Sequence, residues 1–314
     1  MVDSQMRAAL DRRNRAWADA NIPGWVNIDS VSLDQFYTNE DVARDCFDQA
    51  LRYLDSKGVK ETDCYFIEPS AGDGAFYRLL PEGRRFGMDI CPMCRGIKTQ
   101  DFLTWKPRVP KGKKIIYIGN PPFGYRGWLA LRFMNKCAEN ADYVFSILPM
   151  SFQSVGKGSP RGRVVGLTLQ QYATLPMDSY HTVNGDTEKI NALWTVWEKG
   201  ENILPEDPDV SGFVELFTVD LRKERLCGVE KMKDAAFFLQ RTFYDVPPKP
   251  VKDFSEVKYV CGYGFLIKQR KDKIRSILSN TDWYQYSNLA AHNCHHTSMC
   301  HIRRALYDGG LKNE

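Results

Sequence analysis

Asn120-Pro121-Pro122-Phe123 is the segment of this chain best equipped to do chemistry. It offers an amide oxygen, a prolyl carbonyl and an aromatic face in four consecutive positions. A planar amino group placed there would find acceptors for both hydrogens and a ring to stack on, which suits an extruded nucleobase. The segment follows the apolar run Lys114-Ile115-Ile116-Tyr117-Ile118-Gly119, which predicts a buried parallel strand. Two consecutive prolines cannot continue that strand, so it stops at the carboxyl edge of the sheet, where open α/β folds keep their ligands.

Three further strand ends carry residues of the same kind. Glu68-Pro69-Ser70-Ala71-Gly72-Asp73-Gly74 follows the strand Cys64–Ile67. Gly72 and Gly74 would let a ligand approach the backbone, and a helix expected from about Ala75 to Pro81 would add free N–H groups. The next strand, Phe86–Ile90, carries Asp89, whose carboxylate could accept both hydroxyl protons of a ribose. Asp101 could accept from an adenine amino group, with Phe102 packing on the ring. One such acid is usually a cap or a surface residue; four features at successive strand ends are harder to obtain by chance.

The elements that must hold these residues alternate. A helix is expected from about Asp41 to Leu54, with Val42, Cys46, Phe47, Ala50, Leu51 and Leu54 at helical spacing. Another is expected from about Gly127 to Glu139, followed by a buried strand over Tyr143–Leu148 and a later one over Ile190–Trp197. Strands alternating with helices predict an α/β fold: a mostly parallel, right-handed twisted sheet covered on both faces. A short N-terminal helix is read over Ser4–Ala20, so residues 1–30 form an extension, 31–200 the main domain and 201–314 an appended α+β region. In that region Phe213–Val219 and Tyr259–Ile267 read as strands, and Lys271–Leu278 and Ser298–Tyr307 as helices.

Length and charge bound the rest. The 314 residues, 43% of them hydrophobic, can build one large domain and a smaller one. The formal charge is only +4, but it is unevenly spread. Phe102–Ala138 holds eight basic residues and no acidic ones, and Lys258–Arg304 holds eight basic against two acidic. Two basic stretches suit a polyanionic partner, although either alone reads as solvated surface. The polar, charged start and the lack of any membrane-length apolar run give an expectation of an intracellular protein with nine reduced cysteines and no membrane partner.

Taken in order, Phe36-Tyr37-Thr38, Glu68–Gly74, Met88-Asp89, Asp101-Phe102 and Asn120–Phe123 resemble the class I S-adenosylmethionine-dependent amino-methyltransferases. More narrowly they resemble the DNA adenine-N6 methyltransferases with an Asn-Pro-Pro-Phe motif, over roughly Asp34 to Glu198. The resemblance implies a Rossmann-like methyltransferase domain with S-adenosylmethionine as cofactor. Tyr37, Thr38, Glu68, Ser70, Gly72, Gly74, Asp89, Asp101, Phe102 and Asn120 would bind that cofactor. Asn120, Pro121, Pro122 and Phe123 would carry catalysis. One departure is Asn39, where relatives usually have proline. Carbon-5 pyrimidine enzymes need a thiolate, typically in a Pro-Cys pair, and this chain has none. Domain order favours DNA as partner over RNA. An RNA adenine-N6 or guanine-N2 enzyme and a catalytically silent nucleic-acid-binding subunit are the alternatives; oligomeric state stays open.

Four remaining readings concern substrate and metal. Phe152 is a candidate for the second stacking wall, with core packing as the alternative. Lys157, Arg161 and Arg163 lie in a Gly/Ser-rich stretch, Val155–Val165, expected to be a mobile loop that orders against a nucleic-acid backbone. Four of five histidines fall in His292–His301, and Cys91-Pro92-Met93-Cys94 is a lone Cys-x-x-Cys pair. Neither has the spacing of a standard zinc site, so no metal is assigned, and Thr297 or Ser298 is read as a helix cap.

Overall fold

The computed structural model describes residues 36–124, 127–156, 159–182, 184–291 and 293–312. The expected N-terminal helix, Lys157 and His292 therefore lie outside the described residues. The chain divides into two units, one of residues 1–153 and 159–203, the other of residues 154–158 and 204–314.

In the first unit the strands are β1 (Tyr37–Thr38), β2 (Cys64–Glu68), β3 (Arg85–Asp89), β4 (Lys98–Thr99) and β5 (Lys114–Gly119). Then come β6 (Tyr143–Pro149), β7 (Leu167–Thr174), β8 (Tyr180–His181), β9 (Thr187–Glu188) and β10 (Ala192–Lys199). Seven of them form one sheet in the order β4-β3-β2-β5-β6-β10-β7. The pairs from β4 through β6 are parallel, while β10 runs antiparallel to both β6 and β7. The chain winds outward from β2 to β4, then crosses to β5 on the other side of β2. That reversal opens a crevice at the carboxyl ends of β2 and β5, the usual ligand position of a Rossmann-like α/β fold.

The local sequence explains these elements. β5 has both neighbours parallel and buries Ile115, Ile116, Tyr117 and Ile118 on its two faces, as continuous apolar runs do in parallel sheets. Helix α1 (Glu40–Ser56) buries Ala43, Cys46, Phe47, Ala50 and Leu54 against the sheet core, and Glu40 and Asp41 suit its positive end. Helix α2 (Trp128–Ala138) buries Leu129, Ala130, Leu131, Phe133, Met134 and Cys137. Asn39 precedes α1 but makes no side-chain cap; its amide is used elsewhere.

Two expectations change. The segment after Gly74 forms only a 3-10 turn, Tyr77–Leu79, not a helix. Pro81 leaves too few residues to repay helix nucleation, and Arg78 donates back to the Asp73 carbonyl at 2.7 Å. No helix dipole therefore points from that turn. The stretch expected to be a mobile loop contains a 3-10 turn at Arg161–Arg163, whose Arg161 and Val164 carbonyls accept from the Asn202 amide at 2.7 and 2.9 Å.

The second unit holds β11 (Val214–Asp220), β12 (Phe237–Gln240), β13 (Thr242–Phe243), β14 (Cys261–Ile267), β15 (Asn288–Leu289) and β16 (His295–His296). β11, β14 and β12 make one antiparallel sheet, and β13, β16 and β15 another. Helices α3 (Lys271–Asn280) and α4 (Met299–Asp308) bury Ile274, Leu278, Ile302, Ala305 and Leu306 in a core shared with Trp283. Ser298 caps α4 by accepting from the His301 N–H. Among the described residues no helix is long and apolar enough to cross a membrane.

Candidate active site

Asn120 stands immediately beyond β5, at the switch point. Gly119 has φ +149, and a side chain there would press on the Glu68 Cγ at 3.2 Å, so only glycine lets the two strand ends lie this close. The Asn120 backbone carbonyl accepts from the Ser70 hydroxyl at 3.1 Å, and its side-chain nitrogen donates to the Phe36 carbonyl at 3.3 Å. These two bonds leave the side-chain oxygen buried and without a hydrogen-bond partner. A buried acceptor left unpaired costs about 1–3 kcal/mol, so a donor brought by a ligand would be favoured there.

Phe36, Asn120, Pro121, Pro122, Phe123, Tyr180 and Ile190 line one cleft at the end of β5. The sequence motif supplies one wall. Phe36, Tyr180 and Ile190 supply the rest, and the latter two carry no pattern that would single them out. Tyr180 lies on β8, two residues long and too short for any periodicity to show.

The turn after β2 is organised by Asp89. Its two carboxylate oxygens accept the N–H groups of Gly72 and Cys91, both at 2.8 Å. Each oxygen keeps lone-pair capacity for a further donor. Burial raises the Asp89 pKa, and the backbone bonds from Cys91, Gly72 and Ile90 oppose the rise. Gly72, at φ +48, lies under Tyr37, whose ring would sit 3.0 Å from any added Cβ. The Tyr37 hydroxyl donates to the Met93 sulfur at 3.1 Å, and its pKa is raised to about 12 by burial, then Asp89, Cys91 and Asp73. Tyr37 is therefore a phenol at neutral pH. The Thr38 hydroxyl is buried with no partner.

Glu68 is 2% exposed, and one of its oxygens has no partner. Burial, helped by Asp89, Asp73 and Cys94 and opposed by Arg78, drives its pKa well above the usual carboxylate value. A raised acid prefers its proton in the folded state. Its stabilising contribution is complete below about pH 4.5 and is lost as pH climbs toward the folded value, by at most about 1.4 kcal/mol per unit. Glu68→Gln removes that charge, so the variant is expected to overtake the wild type in thermal midpoint as pH rises from 4.5 to 9. Melting curves that stay parallel across this range would refute a neutral Glu68.

Several expected ligand contacts are core contacts. Phe102 is 2% exposed, enclosed by Trp105, Tyr117 and Phe133. Phe152 is fully buried, edge-on to Trp197 at 6.5 Å. Neither ring keeps a face open to a ligand. Asp101 is half-buried and accepts the Leu103 N–H at 2.9 Å. Arg161 is buried, not displayed to solvent, and burial lowers its pKa. Arg163 lies over the Trp128 ring at 4.5 Å, a cation–π contact.

The histidine-rich segment is also tied internally. His295 pairs with the Ser287 hydroxyl and His296 with the Thr242 hydroxyl, each at 2.9 Å. Among the described residues, no group of three or more His, Cys, Asp or Glu is placed to hold a metal. Arg303 pairs with Asp207, and Arg304 donates to the Glu206 carbonyl at 2.7 Å, so both arginines are engaged within the second unit.

No protein-family model matches the chain, and no curated protein matches it. Similar solved structures include a putative RNA methyltransferase from Pyrococcus horikoshii, 20% identical over 59% of this chain and 95% of that one, with a TM-score of 0.39. Another is the modification subunit of a putative type I restriction enzyme from Vibrio vulnificus YJ016, at 13% identity, 61% and 48% coverage and a TM-score of 0.37. A third is magnesium protoporphyrin IX methyltransferase from Synechocystis PCC 6803 with bound SAM, at 11%, 60%, 91% and 0.35. The sheet order itself defines a Rossmann-like α/β domain, with its candidate site at the switch point.

Proposed function

We propose that this chain is an S-adenosylmethionine-dependent methyltransferase that modifies the exocyclic amine of a nucleobase, adenine N6 in DNA. The observation that carries the reading is the unpartnered side-chain oxygen of Asn120, buried at the switch point beside an aromatic cleft.

The residues around β2 and β3 fit the cofactor. Thr38 and Glu68 each present a buried oxygen without a partner, Gly72 gives a backbone of low profile, and Asp89 keeps acceptor capacity for ribose hydroxyls. When bound, the cofactor supplies a methyl group on a sulfonium, ready for direct displacement. The protein prepares the amine. Its lone pair is delocalised into the base, so it is a poor nucleophile until the nitrogen pyramidalises. The Asn120 oxygen, with the Pro121 carbonyl, accepts the two amine hydrogens and favours that pyramidal form. Phe123 offers its face to the base, and Phe36, Tyr180 and Ile190 exclude water around it. This is catalysis by positioning and by acceptors already in place, without a covalent enzyme intermediate.

DNA is preferred because the second unit is large enough to read a duplex. Exposed Lys106, Arg108 and Lys111, between β4 and β5, offer charge for its backbone. Methyl transfer from tritiated cofactor to matched DNA and RNA pools, with nucleoside analysis of the products, tests the proposal. N6-methyladenine in DNA is the expected product. Label in RNA, as N6-methyladenine or N2-methylguanine, would reassign the acceptor. Cofactor binding with no transfer to any pool would make the chain a silent subunit.

A further inference from the structure

His181 is the one histidine outside the C-terminal cluster, and no role falls to it from the motifs. It lies on β8, which pairs antiparallel with β1 so that Tyr37 faces His181 and Thr38 faces Tyr180. Tyr180 lines the cleft beside Asn120; the next residue turns to the other face of the strand. There the imidazole meets the turn after β2. Its ring lies 5.7 Å from the Tyr37 ring, its Nδ1 is 2.8 Å from the Asn39 Oδ1, and its Nε2 is 3.4 Å from the Asp73 Oδ2.

The hydrogen-bond network sets the direction of each contact. Asn39 donates its Nδ2 to the Asp178 carbonyl at 2.6 Å, so an amide oxygen, which can only accept, faces His181. Nδ1 is therefore the donor to Asn39, and Nε2 is turned toward the Asp73 carboxylate. Asn39 also donates its backbone N–H to the Ser179 carbonyl at 2.9 Å. A proline at position 39 could make none of these three contacts. The departure from the resembled family is thus the anchor of a local network.

We propose that His181 is a positioning residue of the cofactor site, keeping Tyr37 over Gly72 and holding the Gly72–Gly74 turn through Asp73, from its anchor on Asn39. The inference rests on the methyltransferase reading and extends it to a side chain that need not touch the reacting atoms. One strand then serves both halves of the site, Tyr180 on the acceptor side and His181 on the cofactor side.

The test compares wild type, His181→Ala and His181→Asn, the last keeping an N–H donor for the Asn39 oxygen. S-adenosylhomocysteine binding is measured by calorimetry, and hydrogen exchange over Gly72–Ala75 in the cofactor-free protein. Both variants lose the ring contact with Tyr37 and the Nε2 contact with Asp73, so binding is expected to weaken about tenfold in the alanine variant and at least about threefold in the asparagine variant, which keeps only the Asn39 anchor. Exchange in the turn should accelerate in both variants, more in alanine than in asparagine. In turnover, the KM for cofactor should rise while kcat changes by less than about twofold. If wild type binds the ligand and the alanine variant matches it within about twofold, or if exchange is unchanged, His181 has no such role. If wild type binds no S-adenosylhomocysteine at all, the methyltransferase reading falls, and this inference with it.

Discussion

Asn120→Ala is expected to lower the rate of methyl transfer by about 100- to 1,000-fold, the range found when one charge-stabilising group is removed from a preorganised site. The reason is geometric. The side-chain oxygen is held by two bonds made elsewhere on the same residue, from Ser70 and to Phe36, and is left unpaired for an incoming donor. Alanine keeps the backbone carbonyl and its bond from Ser70, so the strand end should stay in place. S-adenosylhomocysteine affinity should therefore fall far less than kcat. Single-turnover rates and calorimetry on the same preparation separate the two. A folded alanine variant with undiminished turnover would remove the acceptor mechanism and the amine substrate together.

Asp89→Ala should damage both the fold and cofactor binding. Two backbone N–H groups, from Gly72 and Cys91, lose acceptors at 2.8 Å, and each unsatisfied donor costs about 1–3 kcal/mol where water cannot replace the carboxylate. Asp89→Asn retains one acceptor oxygen but turns an NH2 group toward the other N–H, so it should recover about half of that loss. Chemical denaturation without ligand measures this structural part. The same variants titrated with S-adenosylhomocysteine measure the functional part, and the alanine variant is expected to bind at least about tenfold more weakly. Wild-type denaturation with wild-type affinity in the alanine variant would mean that Asp89 organises nothing.

Legibility in the sequence divides along physical lines. β5 and its proline stop are legible because the apolar run Ile115–Ile118 is a strong local signal and consecutive prolines leave the chain little choice. α1, α2, α3 and α4 are legible from their apolar spacing, with boundaries a few residues off. The turn after β2 reads wrongly as the start of a helix, because glycines announce a bend without specifying the next element. Phe102 and Phe152 show a different limit. An aromatic side chain has the same composition whether it stacks on a ligand or fills a core, and only its neighbours decide. Arg161 shows the same limit for charge: a basic residue in a Gly/Ser-rich stretch reads as solvated, yet it is buried. Tyr180 and His181 leave almost no trace, because β8 exists only through its pairings with β1 and β9. The sole hint is a histidine standing apart from the other four.

The pairing of β8 with β1 carries a consequence for the order of assembly. Asn39 and His181 are 142 residues apart in the chain, so their contact closes a long loop whose entropic cost is met only after most of the sheet exists. During synthesis, a ribosome-bound chain stopped before Ser179 would own every glycine and acid of the turn yet lack the piece that seats them. Ligand affinity should then switch on late and abruptly as nascent chains lengthen past His181, making occupancy a report on completion.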